Sequence, residues 1–505
     1  RIGGDYQGHG TLPRSSETVI TAKTRITADA IHTGNGGQVI VWSDGTTAFD
    51  GTISAQATTG NGGFVETSGL NQLTIGPQAN VNTNALQGSA SLWLLDPTDL
   101  TVVENEGRGS INTNTNTAPH SSINASTVAN ALDQTNVTLQ STNSITVDSA
   151  IDASNNNNSG NLFIDTAVLT LNETITLKGS GQLSGTATTV NVGTHGSIQN
   201  GVDAVASGGT VTLAATTYRE GNSITVNQPL TLVGQGQEDT YISGDSDNNG
   251  TGDHQVLNIT SSGDIINLTG LTIQDGRSAS DGAGLSNRGN NIVISDVRFT
   301  NNQVTGSSQD GGAIHNQGSL TLLNSTFDNN RTGSDGGAID ILRGSVSITD
   351  SVFTNNQAGA HGGAIDVAPN GTLRIFNSNF SSNTAGTDGG AIFNEGDAII
   401  DTANFLSNSS NEQGGAVFLD GNSEIRSGSF LRNMAQSGGG LYNQGTLNLL
   451  NSIVSENTST GVEILDGGGG IVNTLGGTLT INDSLVSNNI SALTGGGILN
   501  LADDG

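Results

Sequence analysis

One stretch of the chain has the residue types and spacing of a cation-binding loop. Asp245-Ser246-Asp247-Asn248-Asn249-Gly250-Thr251-Gly252-Asp253 puts oxygen-bearing side chains at positions 1, 3, 5 and 9, and Thr251 at position 7 with a glycine at position 6. Calcium is held by carboxylate, amide and carbonyl oxygens in this order, and the glycine makes the sharp turn. Asp245, Asp247, Asn249, Thr251 and Asp253 are therefore candidate calcium ligands. The acidic residue expected at position 12 is missing, because Val256 stands there, so an ordinary solvated Asp/Asn/Gly loop is the competing reading. Calcium is the one cofactor suggested, and the sequence requires none.

A second acidic set precedes successive Gly-Gly pairs: Asp281, Asp310 and Asp335, then His361, then Asp388. If these residues stack, like charges come close enough to repel unless water screens them or a cation bridges them. Each Asp capping its own turn in water and calcium bridging between turns are both open at this point. Catalytic constellations are otherwise lacking. There is no G-x-S-x-G, no Walker loop and no H-E-x-x-H, the seven His are dispersed, and Cys is absent. His9, in Gly8-His9-Gly10, has no accompanying Asp cluster and reads as structural. The chain is expected not to be an enzyme.

Composition narrows what can position such groups. Of 505 residues 73 are Gly, with 33% apolar and 4% aromatic residues, too few large side chains to fill one spherical core of this size. A formal charge of -30 repels polyanions, so nucleic acid and anionic membranes are excluded as partners. No apolar run approaches the length of a membrane-spanning helix. The only Met is Met434, so the chain reads as a processed or excised piece of a longer protein.

Repeats supply the architecture. Gly-Gly-Ala-Ile or a close variant ends at Leu285, Ile314, Ile339, Ile365, Ile392, Val417, Leu441, Ile471 and Ile498. Phe-x-x-Asn runs in register with it, at Phe299/Asn302, Phe327/Asn330, Phe353/Asn356, Phe380/Asn383, Phe405/Asn408 and Phe430/Asn433, then relaxes to Val454/Asn457 and Val486/Asn489. Between them lie short alternating stretches such as 319–323 and 446–450, bounded by Gly, Asn and Asp, which read as strands ended by turns. Three short strands in about 25 residues make one coil of an all-β, right-handed parallel β-helix, with equivalent residues stacked at about 4.8 Å. The Phe and Ile positions then become ladders inside the tube. Gly-Gly allows positive φ or close approach of coils, and the Asn amides bond to those above and below.

The first part repeats more loosely. Gly34-Asn35-Gly36-Gly37 and Gly60-Asn61-Gly62-Gly63 each precede a Val-bearing strand. From about 104 to 160 the pattern weakens, with an Asn-Thr run at 112–117 and four Asn at 155–158 that read as exposed loops, while 127–132 has helical character. A short amphipathic helix is expected from Ser197, through Ile198, Val202 and Val205, to Gly208, covering the end of a second β-helix or plugging a kink. Three segments follow: 1–103, 104–195 and 196–505.

Two family resemblances become specific here. The blocks GGDYQGHGTLP (3–13), GNGGQVIVWSDGTTAFDGTISAQ (34–56), GNGGFVETSG (60–69) and WLLDPTDLTVV (93–103) resemble filamentous-haemagglutinin-like exoproteins of two-partner secretion systems. That resemblance implies export from a Gram-negative bacterium through an outer-membrane transporter partner. From 281 onward the paired motifs resemble the repeats of chlamydial polymorphic outer-membrane proteins, which implies surface exposure and adhesion. Residues 198–236 resemble the opening of pectate-lyase-like β-helix domains, which bears on fold alone. Lyase chemistry in that superfamily needs a basic residue beside calcium-holding acids, whereas Lys occurs only at Lys23 and Lys178 and the Arg are scattered.

The resulting expectation is a secreted cell-surface exoprotein shaft, structural and adhesive, whose repeated polar ladders bind glycans, cells or matrix. End-to-end self-association into an extracellular filament or sheath is the alternative, and a polysaccharide-active enzyme stands third.

Overall fold

The computed structural model describes residues 1–104, 120–261, 263, 265–463 and 466–501. The Asn-Thr run at 112–117 lies outside them. The chain is an all-β parallel β-solenoid with two short α-helices, and it divides into two compact units, Arg1–Ala214 and Ala215–Gly505.

In the first unit, Gln38–Val41, Phe64–Thr67, Leu92–Leu95, Asn136–Gln140, Leu162–Asp165 and Leu183–Gly185 form one parallel sheet. Val39, Val65, Trp93, Val137 and Leu162 share one register position in it and are buried. Helix α1 (Ala125–Ala131) contributes Val128 to the core and packs on Ile151–Asp152. Helix α2 (Ile198–Ala204) occupies the predicted place. The Ser197 hydroxyl accepts from the Asn200 amide, capping it, and Ile198 and Val202 are buried. Helix α2 packs on Leu183–Gly185, Ala187–Val192 and Val205–Leu213 of its own unit.

The second unit is the more regular. One parallel sheet stacks eleven strands, from Ile224–Val226 to Ile498–Asn500. Ile314, Ile339, Ile365, Ile392 and Val417 are consecutive rungs of it. On another wall Phe299, Phe327, Phe353, Phe380, Phe405 and Phe430 pair in register. Their rings stack at centroid distances of 4.7–4.9 Å and are almost wholly buried. That separation is the strand spacing itself, imposed by the backbone ladder.

Beside the Phe column runs a buried Asn column. Asn330 Nδ2 donates to Asn356 Oδ1 at 3.0 Å and to the Phe299 carbonyl at 3.0 Å, while the Asn330 backbone N–H donates to the same Asn356 oxygen at 3.1 Å. Asn302, Asn356, Asn383, Asn408 and Asn433 repeat the pattern. Each amide thus satisfies donors and acceptors that a turn inside a protein would otherwise leave orphaned. The two glycines of each pair have different tasks. The first has positive φ, as at Gly336 (66°) and Gly362 (60°), while a Cβ on the second, Gly337, would lie 2.1 Å from the Gly363 carbonyl oxygen.

Candidate functional site

The Asp245 loop follows the strand Tyr241–Ser243, whose Ile242 is buried in the core. One carboxylate oxygen from each of Asp245, Asp247 and Asp253 lies within 4.8 Å of the others, with Asp245 buried and the other two exposed. The loop also closes on itself. Asp245 accepts from the Asn249 and Gly250 amides at 3.0 and 2.9 Å, Asp247 from Asn249 Nδ2 at 2.8 Å, and Asp253 from the Ser246 hydroxyl at 2.6 Å and amide at 2.9 Å. The Ser246 bonds hold the Asp253 carboxyl below the ordinary aspartate range. Arg219 braces the loop through the Asp245 carbonyl and Asn248 Oδ1. Thr251 donates its backbone N–H to Asn249 Oδ1. The donor set therefore fits a hard divalent cation in ligand type, but Val256 is buried in the core, so position 12 cannot give the bidentate carboxylate of the strongest loops.

The acidic set before Gly-Gly does stack, and its carboxylates accept backbone N–H bonds from the next coil, while Asp335 also accepts from the Ser334 hydroxyl of its own turn at 3.3 Å. Asp281 accepts from the Asp310 amide, Asp310 from Asp335, Asp335 from His361 and Asp388 from Gln413, at 2.8–3.1 Å. His361 relieves the charge where it interrupts the column: Nδ1 is 3.0 Å from Asp335 and Nε2 3.7 Å from Asp388. The bond to Asp335 raises the imidazole above its ordinary range.

A neighbouring column escaped the sequence reading. Ser286, His315, Asp340, Asp366, Phe393, Phe418, Tyr442 and Val472 pair in register as the middle residues of the eleven-stranded sheet. They are buried although their sequence neighbours, such as Ile314 and Asn316, are buried too. His315 Nδ1 lies 2.6 Å from Asp340 Oδ2, and Gln317 Nε2 2.9 Å from His315 Nε2. Asp366 is 8% exposed and its Oδ1 has no hydrogen-bond partner among the described residues. Burial, reinforced by Asp340, Asp335, Asp310 and Glu395, pushes its carboxyl well above the usual range. From Phe393 on, the column turns apolar, and the His361 ring stacks on Phe393 at 4.4 Å. The signal was present in the residue after each Gly-Gly-Ala-Ile, but single positions in a strand of three do not announce their burial.

The opposite character is found on the solvent side of the sheet that carries residues 345–448. Ser345, Thr372 and Asp397 are successive rungs, as are Asn422 and Thr446; beside them stand Ser347, Arg374, Ile399, Glu424 and Asn448. Between these columns runs a groove of about 410 Å³. Asn422 Nδ2 donates to Asp397 Oδ1 at 3.2 Å, and Glu424 pairs with Arg426. Among the described residues the Arg374 guanidinium has no hydrogen-bond or ion-pair partner. With every floor strand paired on both edges, the groove offers a ligand side chains and no free backbone edge.

A parallel β-solenoid whose coils repeat Phe-x-x-Asn and Gly-Gly-Ala-Ile defines the class of this protein. More particularly, residues 296–317, 324–341, 350–368 and 377–395 match the Chlamydia polymorphic membrane protein repeat. Each matched segment holds one Phe/Asn pair and one Gly-Gly-Ala-Ile, so the second unit carries repeats of this kind. No curated protein matches the chain significantly.

Proposed function

We propose that this chain is the shaft of a secreted, surface-displayed exoprotein with a structural and adhesive role and no catalytic one. The observation that carries the reading is the polar columns flanking the Thr372–Asn448 groove, which the in-register coils hold at fixed spacing, the arrangement that favours many weak contacts with hydroxyl-rich glycans. The polymorphic membrane protein repeats support display at an outer surface. The exoprotein-like blocks between 3 and 103 support export through an outer-membrane transporter partner of a Gram-negative bacterium.

Glycan arrays and whole-cell binding with the purified chain test this. The triple variant Arg374→Ala, Asp397→Ala, Asn422→Ala is expected to weaken glycan binding by about 10-fold or more while Tm stays unchanged, since exposed substitutions cost about 0.5 kcal/mol or less. Binding that survives the triple variant would move the contact elsewhere. An array and cells that capture nothing would sink the adhesive reading.

A weakly held calcium ion at Asp245, Asp247 and Asp253 belongs to the same proposal. With position 12 lost, the expected Kd is that of extracellular modules, about 0.1–1 mM. Calcium at about 10 mM should then stabilise the second unit by roughly 1.4–2.7 kcal/mol, an effect abolished by Asp247→Asn with Asp253→Asn. Melting curves that coincide in calcium and in chelator would remove the ion.

A further inference from the structure

The glycine-rich block at 3–10 folds into a strap across the first unit's sheet, and it closes over a carboxylate. Ile2 pairs with the strand Gln38–Val41, its N–H donating to the Ile40 carbonyl at 2.8 Å while the Trp42 amide donates to Ile2 O at 2.9 Å. Gly4 and Gly8 then lie on the Trp42 ring: a Cβ on either would come within 2.6 and 2.7 Å of ring atoms. Tyr6 meets Phe64 edge-on at 5.7 Å. Gln7, at φ 49°, is turned so that its backbone N–H donates to both Glu66 oxygens at 3.1 and 3.3 Å, and its Nε2 donates to Asp96 Oδ2 at 3.0 Å and Gln140 Oε1 at 2.8 Å.

Glu66 is 0% exposed. It occupies the register position between Ile40 and Leu94. The titratable and charged groups facing it are Asp96, Arg1 and Tyr6, with His9 and Asp165 beyond Asp96. The strap is what separates this carboxyl group from water, and only Arg1 on the strap opposes its charge.

We propose that residues 1–12 are a proton-controlled strap, closed over Glu66 while that carboxyl group is neutral and loosened when it ionises. Burial pushes Glu66 up to about 7 from 4.5, with Asp96 adding to the rise and the Gln7 and Ser68 bonds opposing it. A carboxyl group raised in the closed state favours closure most at pH below 4.5. The advantage declines as pH climbs towards 7 and is gone above it. The difference corresponds to about a 300-fold change in the closing equilibrium.

Hydrogen exchange of residues 1–12 in the full chain, from pH 4 to 8.5 and corrected for intrinsic rates, reads that equilibrium. Protection is expected to fall by about 80-fold between pH 4.5 and 7 and by about 200-fold over the whole range from pH 4 to 8.5, levelling off at the top of it. Acrylamide quenching of tryptophan should rise over the same interval, because opening uncovers Trp42 while Trp93 stays within the core. Glu66→Gln keeps an acceptor for the Gln7 amide and should hold protection at its low-pH level throughout. Should that variant fold poorly, Asp96→Asn provides an independent check, ending the decline at lower pH because a like charge has gone. Wild-type protection that does not change with pH would overturn the proposal, and so would an identical decline in Glu66→Gln.

Discussion

Asn383→Ala is expected to destabilise the second unit by about 4 kcal/mol, as much as hollowing out a Phe rung. Asn383 is fully buried. Its Oδ1 accepts from Asn356 N and Nδ2, and its Nδ2 donates to the Phe353 carbonyl and Asn408 Oδ1, all at 3.0 Å. Truncation leaves the partners in coils on both sides buried without a bond, and each such orphan costs about 1–3 kcal/mol. Asn404→Ala is the control. It is exposed, and its Nδ2 donates to Asn379 Oδ1 at 2.9 Å on the solvent side, so about 0.5 kcal/mol or less is expected. Equilibrium melts of the pair measure the difference. Because a solenoid is held by nearest-neighbour coils, lost exchange protection should centre on residues 353–408. A loss near 1 kcal/mol for Asn383→Ala would show that the ladder contributes little beyond its backbone bonds.

The second unit is expected to be more stable at pH 5.5 than at pH 8.5. Burial pulls His315 down, but the Asp340 bond and the charges of Asp340, Asp281 and Asp310 outweigh it, and its imidazole ends above the ordinary range. Asp340 also ends high, because burial exceeds the effect of His315, so the two groups together keep their shared proton to higher pH than either would alone. A histidine raised in the folded state stabilises fully below 6.5, and the contribution is lost as pH rises through the folded value. Asp366, raised by burial, contributes in the same sense: the folded chain holds its proton after the unfolded chain has released one. Asp335 acts oppositely. Burial raises it, yet the His361 contacts bring it below the ordinary range, so its contribution fades only in strong acid. For each proton held by the folded and not the unfolded chain, stability falls by about 1.4 kcal/mol per pH unit. Melting His315→Gln and Asp366→Asn beside the wild type across this range should show flatter profiles in both variants. A wild-type Tm that rises towards pH 8.5 would refute the assignment.

How much was legible in the sequence differed between columns. Phe299 to Phe430 and the Asn beside them announced themselves because one residue type recurs at one spacing, and stacking demands that identity: a ring fits best on a ring, an amide on an amide. The His315 column had no such constraint. It changes from Ser and His through Asp to Phe and Tyr, and what makes it buried is the Gly-Gly turn folded over the sheet, not any preference of its own. The left-handed corners were equally hidden. Asn301, Asn329 and Asn355 precede the ladder Asn with φ near 55°, residues that tolerate that region, but Ser382, Ser407 and Arg432 adopt it at the same corner, where the coil dictates φ against local preference.

By itself, then, the sequence determined the fold class, the coil length and the identity of the interior ladders, because these depend on periodicity and on like residues meeting like. Tertiary structure alone decided where the acids went. The Asp column bonds the next coil, Asp366 is left without a partner for one oxygen, and Glu66 lies beneath a strap anchored on Trp42. The physical reason is that a carboxylate's chemistry is set by its distance from water and from other charges, and both distances here run between residues about 25 or more apart in the chain.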